Sequence, residues 1–200
     1  MAEAYIDVGT LQEISVIQNL QAGEDLTWDG KYYWSLKSGD IIQSDPNGGE
    51  VYRFAATVPS HGTLNGLTFN GKYLIAMDDD GAGLNSLITY DAAGNVVRNL
   101  KIISDSRCLC FLDKYFMCVT TETDLTVFDY NGTQTKPHFH TSVDRLHGLA
   151  FDGKNVYASS ATGRVIYQLD LAGNILQIIR PANNPVGPIV FSGRYLVYTF

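Results

Sequence analysis

Short apolar runs, broken by Gly, Asp, Asn and Ser, follow one another along the whole chain, and no stretch carries the 3.6-residue apolar period of a helix. One such unit recurs at nearly even intervals. Its copies are Asp25-Leu-Thr-Trp-Asp-Gly-Lys-Tyr-Tyr33, Gly66-Leu-Thr-Phe-Asn-Gly-Lys-Tyr-Leu74, Cys108-Leu-Cys-Phe-Leu-Asp-Lys-Tyr-Phe116, Gly148-Leu-Ala-Phe-Asp-Gly-Lys-Asn-Val156 and Pro188-Ile-Val-Phe-Ser-Gly-Arg-Tyr-Leu196. The aligned aromatics Trp28, Phe69, Phe111, Phe151 and Phe191 are 41, 42, 40 and 40 residues apart. Each copy reads as a strand, a two-residue turn of the Asp-Gly, Asn-Gly or Ser-Gly kind, and a second strand rich in Tyr, Val, Ile and Leu. The turn needs a positive φ, which Gly adopts freely and Asp113 of the third copy adopts at some cost. A second hairpin follows each copy, its turn marked by Asp45, Asp91, Asp129 or Asp170. Four strands repeating every forty residues or so are the pattern of propeller blades.

The ends complement each other. The last copy stops at Phe200 after two strands, while the segments around Ala4 to Val8 and Glu13 to Leu20 form an orphaned second hairpin, with Asp7 lying 21 residues before Trp28 as Asp170 lies 21 before Phe191. The chain is therefore predicted to be an all-β, five-bladed propeller of four-stranded antiparallel blades, its ring closed by a composite blade from both termini. The expected blades are 25–65, 66–106, 107–147, 148–186 and 187–200 with 1–24, forming a single domain of 200 residues.

At these residues the chain resembles the NHL-type and quinoprotein-like propellers, whose units run through a Phe/Trp-Asp-Gly-Lys turn to an outer strand ending Asp-x-x-Gly-Asn; those propellers usually have six to eight blades. Other five-bladed rings include lectins built on Trp-Asp-Gly repeats, calcium-dependent nucleotidases and glycoside hydrolases. Trp28-Asp29-Gly30 is the single literal Trp-Asp-Gly here.

Composition fits one self-sufficient core: 45% of residues are hydrophobic and 12% aromatic, so burial needs no disulfide or metal. The net charge of −7 repels phosphate backbones and anionic lipid, which argues against nucleic-acid and membrane partners. The N-terminal stretch reads as neither a signal peptide nor a membrane anchor, so a cytoplasmic or virion location is expected. Cys108, Cys110 and Cys118, an odd number at close spacing, read as small buried hydrophobes in a reducing compartment.

Two faces carry the candidate chemistry. The face of the blade-to-blade connections is acidic, and Asp25, His61, Asp105, Asp144 and His147 precede inner strands at the channel mouth. A hydrolase would draw its acid and its nucleophile or base from Asp25, Asp105 and Asp144. Asp78-Asp-Asp-Gly81 reads as a solvated acidic loop that lacks the later ligands of an EF-hand, with a calcium site at Asp78 and Asp80 as the alternative; no cofactor is expected otherwise. His138 and His140 share a strand face, as a cross-strand or exposed pair. On the opposite face, Lys31, Lys72, Lys114, Lys154 and Arg194 occupy the same turn in all five copies, with Tyr32, Tyr73, Tyr115 and Tyr195 beside four of them. That ring suits an acidic protein partner, with Tyr as anchors. The expectation from these features is a non-catalytic interaction or assembly module of a larger complex, such as a phage tail. A small channel-mouth hydrolase and a sugar- or small-ligand-binding protein are the alternatives.

Overall fold

The computed structural model describes residues 3–10, 12–17, 20, 23–58, 62–79, 85–102, 106–120, 123–140, 143, 145–160, 162–183 and 187–200, with backbone alone for 3, 5, 12–17 and 136–140. Five four-stranded antiparallel sheets form the blades. The first holds β3 (Asp25–Trp28), β4 (Tyr33–Lys37), β5 (Asp40–Ser44) and β6 (Glu50–Ala55); the second β7 (Thr63–Phe69), β8 (Leu74–Asp79), β9 (Asn85–Tyr90) and β10 (Val96–Ile102). The third holds β11 (Arg107–Leu112), β12 (Tyr115–Val119), β13 (Asp124–Asp129) and β14 (Gln134–His140); the fourth β15 (Leu146–Phe151), β16 (Val156–Ser160), β17 (Val165–Leu169) and β18 (Ile175–Ile179). The fifth joins the two ends: β19 (Ile189–Ser192) and β20 (Tyr195–Thr199) continue into β1 (Glu3–Asp7) and β2 (Gln12–Ile17). Strand β1 pairs with β20 from Glu3↔Thr199 to Asp7↔Tyr195, and the inner strands β3, β7, β11, β15 and β19 touch in sequence back to β3, so the ring is closed. No helix occurs among the described residues, hence none long and apolar enough to cross a membrane.

The core is five packed layers, one between each pair of blades. Trp34, Leu36 and Ile41 of the first blade meet Leu67 and Leu74 of the second; Ile75 and Leu87 of the second meet Phe116 and Phe128 of the third. Met117 and Val127 face Leu149 and Val156, Tyr157 and Ile166 face Ile189 and Leu196, and Val197 returns to Leu26 and Tyr33. Inter-blade burial, rather than propensity within any one sheet, holds the ring together.

The turns refine the sequence expectation. Only the third and fifth copies have two-residue inner turns, closing at Leu112↔Tyr115 and Ser192↔Tyr195, with φ of 55° at Asp113 and 75° at Gly193. In the other three the strands close one step earlier, at Trp28↔Tyr33, Phe69↔Leu74 and Phe151↔Val156, over four-residue loops. The reason is the residue after the aromatic: the Oδ1 of Asp29, Asn70 or Asp152 accepts the backbone N–H groups two and three residues on, at 2.7–3.0 Å. Leu112 and Ser192 do not form that side-chain turn. The four second hairpins share one device: Asp45, Asp91, Asp129 and Asp170 each cap amides two and four residues ahead at 2.8–3.0 Å.

Candidate active site at the channel mouth

Every inner strand begins on the connection face, and the repeat places Asp25, Gly66, Cys108, Gly148 and Pro188 at one level around the axis. The blades approach closely there. A Cβ on Gly66 would lie 2.9 Å from Leu109 Cβ, and one on Gly148 2.9 Å from both the Gly187 carbonyl oxygen and the Ile189 nitrogen. With two blades reduced to glycine, one carboxyl fits. Asp25, only 3% exposed, accepts N–H bonds from Leu26 at 2.8 Å and from Leu67 of the second blade at 2.7 Å, and a further one from Leu109 of the third. The three amides occupy the same position in successive copies. One side chain thus ties three blades at the axis.

Burial works against the charge of this carboxyl and the amides work for it. Burial is the larger effect, and the pKa of Asp25 is pushed up to about 7, with the bonds from Leu67, Leu26 and Leu109 opposing the rise. A carboxylate offers about four acceptor sites, so three amides do not exhaust it. The neighbouring thiols go the other way from reactivity. Cys108 and Cys110, both free and buried, are pushed up by burial first and by the Asp25 charge second, so neither is a thiolate at neutral pH.

Irregular pairing marks this end of the ring. Between Leu64 and Gly66, Arg107 and Leu109, and Leu146 and Gly148 the register of the inner strand shifts, leaving Asn65, Cys108 and His147 as extra residues of bulges in three adjacent blades. Bulges re-aim side chains at such rims. Cys108 takes a φ of 54° and donates its S–H to the carbonyl of His147 at 2.8 Å. Asn65 donates to Asp79 at 3.0 Å, and the His147 side chain is exposed. Beyond Asp25 the channel narrows to a cavity of about 90 Å³ ending near Trp28, Phe69, Phe111, Phe151 and Phe191. Substrate sites usually need several hundred Å³, so this cavity is too small to hold a substrate.

Among the described residues, no other candidate carboxylate singled out by sequence joins Asp25. His61, Asp80, Asp105 and Asp144 lie outside the described residues, as do the side chains of His138 and His140. Asp78 is buried at the end of β8. No three His, Cys, Asp or Glu side chains among the described residues come together in a way that holds a metal. On the turn face, Lys31 lies 4.6 Å from the centre of the Tyr32 ring, Lys72 lies 4.7 Å from that of Tyr73, and Arg194 lies 5.8 Å from that of Tyr195 and pairs with Asp7. Three of the five cations therefore have partners within their own turns or the adjoining one. Lys114 and Lys154 are exposed. Asn65 and Cys108 were not assigned to the site by sequence reasoning. Their signal is the break in strand register, which no residue type announces.

Fold and site together define a small five-bladed β-propeller with, among the described residues, one carboxyl buried where its inner strands begin. No protein-family model and no curated protein sequence matches the chain. Among solved structures, the glutaminyl cyclase of Myxococcus xanthus superposes with a TM-score of 0.71 at 16% identity, over 90% of this chain and 89% of that one. A functionally unknown protein from Desulfotomaculum acetoxidans superposes with a TM-score of 0.54 at 15% identity, over 99% of this chain and 69% of that one. At these identities the likeness is one of fold. It nevertheless corrects the expectation of a non-catalytic assembly module: that expectation rested on the bareness of a five-bladed ring, and an equally compact ring of the same fold is an enzyme.

Proposed function

We propose that the chain is an enzyme working at the connection-face mouth of its channel, with Asp25 as the group that takes and returns a proton in the cyclisation of an amino-terminal glutaminyl substrate. The observation that carries this reading is the Asp25 carboxyl, held at the axis by amides of three blades. An α-ammonium has a pKa of about 7.7–8.0, close to the value of about 7 for Asp25, so proton transfer between them is nearly thermoneutral. The freed amine attacks the side-chain amide carbon and a C–N bond forms; the leaving nitrogen of the tetrahedral adduct takes the proton held by Asp25, the ring nitrogen gives its surplus proton to solvent, and the bond to the leaving nitrogen breaks. Ammonia departs and a lactam remains; no oxidant or second substrate enters. The net charge of −7 favours approach of a cationic amine.

Ammonia release from a peptide with amino-terminal glutamine is the test. Turnover above the uncatalysed rate is expected, with kcat/KM rising through an apparent pKa near 7. Asp25→Asn should remove the turnover while the variant retains its far-ultraviolet β signature and cooperative unfolding. Folded wild-type protein that releases no ammonia above background across the neutral range, or an Asp25→Asn variant of undiminished kcat, overturns the reading.

A further inference from the structure

The five inter-blade layers contain an internal comparison. Cross-strand pairing makes Trp34, Ile75, Met117, Tyr157 and Val197 equivalent: their partners are Thr27, Thr68, Cys110, Ala150 and Val190, each one step before the motif aromatic. Between the first and second blades this position holds the indole of Trp34, whose N–H donates to Asp29 Oδ2 at 2.6 Å. Between the fourth and fifth it holds the ring of Tyr157, whose hydroxyl donates to Asp152 Oδ2 at 3.0 Å. Between the second and third blades the residue is Ile75, and the layer is left with a cleft of about 280 Å³. Its volume is near the small end, ~300 Å³, of ligand sites.

We propose that this cleft, independently of the channel mouth, binds a small aromatic carboxylate. Its ring takes the volume that Trp34 and Tyr157 fill in two of the other layers. The floor is apolar, from Ile75 and Leu87, and the wall is the Phe116–Tyr130 pair, whose rings meet edge to face at 5.1 Å. Asn70 holds that wall by donating to the Tyr130 hydroxyl at 3.3 Å. A third ring enters such an arrangement by the same edge-to-face geometry. The charge comes from the rim. Arg98 is the one charged residue among the described residues lining the cleft, and it stands opposite Thr89 in the β9–β10 register, so the lining offers a guanidinium and a hydroxyl and no carboxylate. A guanidinium fork matches a carboxylate. The larger cleft of about 540 Å³ between the third and fourth blades has no such selectivity, because Lys114 and Asp113 line it side by side.

The experiment uses 3-phenylpropionate as the probe and its neutral amide as the comparator, followed by heteronuclear NMR titration of the full chain. Saturable binding of the acid is expected, with probe-to-methyl contacts at Ile75 and Leu87. The amide should bind at least about tenfold more weakly, the loss of one charge-assisted pair. Arg98→Gln, at an exposed position, should weaken the acid by a similar factor and leave the amide unchanged. Ile75→Trp, which installs the first blade's own plug, should abolish both. Equal affinity for acid and amide, contacts elsewhere on the surface, no saturation in the millimolar range, or full binding by Arg98→Gln each overturns the proposal.

Discussion

Asp25 makes a pH dependence of stability that can be worked out from the site. The perturbation is the exchange of its carboxyl for the amide of Asn, which copies the shape of the protonated acid and cannot ionise, but presents an NH2 group at one of the two positions where the carboxyl accepts a backbone N–H. In the folded chain the carboxyl titrates near 7, against an ordinary value of 3.8. The native state therefore holds this proton more tightly than the unfolded chain, and stability falls as pH rises from about 4 to about 7, then levels. At about 1.36 kcal/mol per unit the whole effect is about 4 kcal/mol. The part lying between pH 5 and pH 8 is about 2.5 kcal/mol. The assay is urea unfolding of wild type and Asp25→Asn across that range, read as the difference between the two, in which the other titrating groups cancel. The lost acceptor adds an offset that does not vary with pH, and on top of it the variant should gain about 2.5 kcal/mol on wild type between pH 5 and pH 8. A constant difference, or one that moves in favour of wild type with rising pH, means the three backbone amides outweigh burial. The carboxylate is then ionised throughout, and its role as a proton holder at neutral pH falls with it.

Gly148→Ala should destabilise the ring by about 1–3 kcal/mol in chemical denaturation, since the new methyl meets backbone atoms of Gly187 and Ile189 at 2.9 Å and neither is a mobile side chain. Gly153→Ala, at a φ of 93° but with nothing within 4 Å, tests backbone strain without the clash and should cost about 1 kcal/mol. Asp29→Ala removes the acceptor of the Trp34 indole and of two turn amides, and should lower stability by about 2 kcal/mol with a change in tryptophan fluorescence; an unchanged emission spectrum refutes the anchoring role of that carboxylate.

The architecture was legible because it rests on what the copies share. Phe69, Phe111, Phe151 and their equivalents mark the period, and the offset of Asp7 from Trp28 marks the closure; both are covalent spacings that packing merely executes. The inner turns were read less well. Asp29-Gly30 and Asp113-Lys114 look alike as turn signals, yet their positions differ by one residue relative to the aromatic, and that step decides whether a side chain caps the loop or the backbone closes in two residues. Asp25 stood among the candidates for its place before an inner strand. Its burial, and the three amides it collects, depend on glycines forty and more residues away and could not be seen from its own neighbours. The basic ring shows the opposite failure: five aligned cations suggested one surface, but the adjoining tyrosines and Asp7 engage three of them.

A symmetric ring places five copies of any motif residue around one axis, so identical side chains at the innermost level would crowd one another and identical charges would repel. The chain avoids both by breaking the repeat there: glycine in two blades, proline in one, cysteine in one and a single aspartate. Only one acid fits, and the same closeness that excludes a second supplies the amides that hold the first. Asp25→Ala should therefore be worse than Asp25→Asn, because it leaves the Leu26, Leu67 and Leu109 N–H groups without their acceptor; the expected loss is about 3 kcal/mol or more. If glycine is then introduced at a different blade the loss should persist, whereas Cys108→Asp in the Asp25→Ala background offers a carboxyl from the third blade at the same level. Recovery of stability in that double variant would establish that the axis requires one acid rather than this acid. Failure to recover would assign the requirement to the first blade, whose β3 enters the ring without the bulge that displaces Cys108.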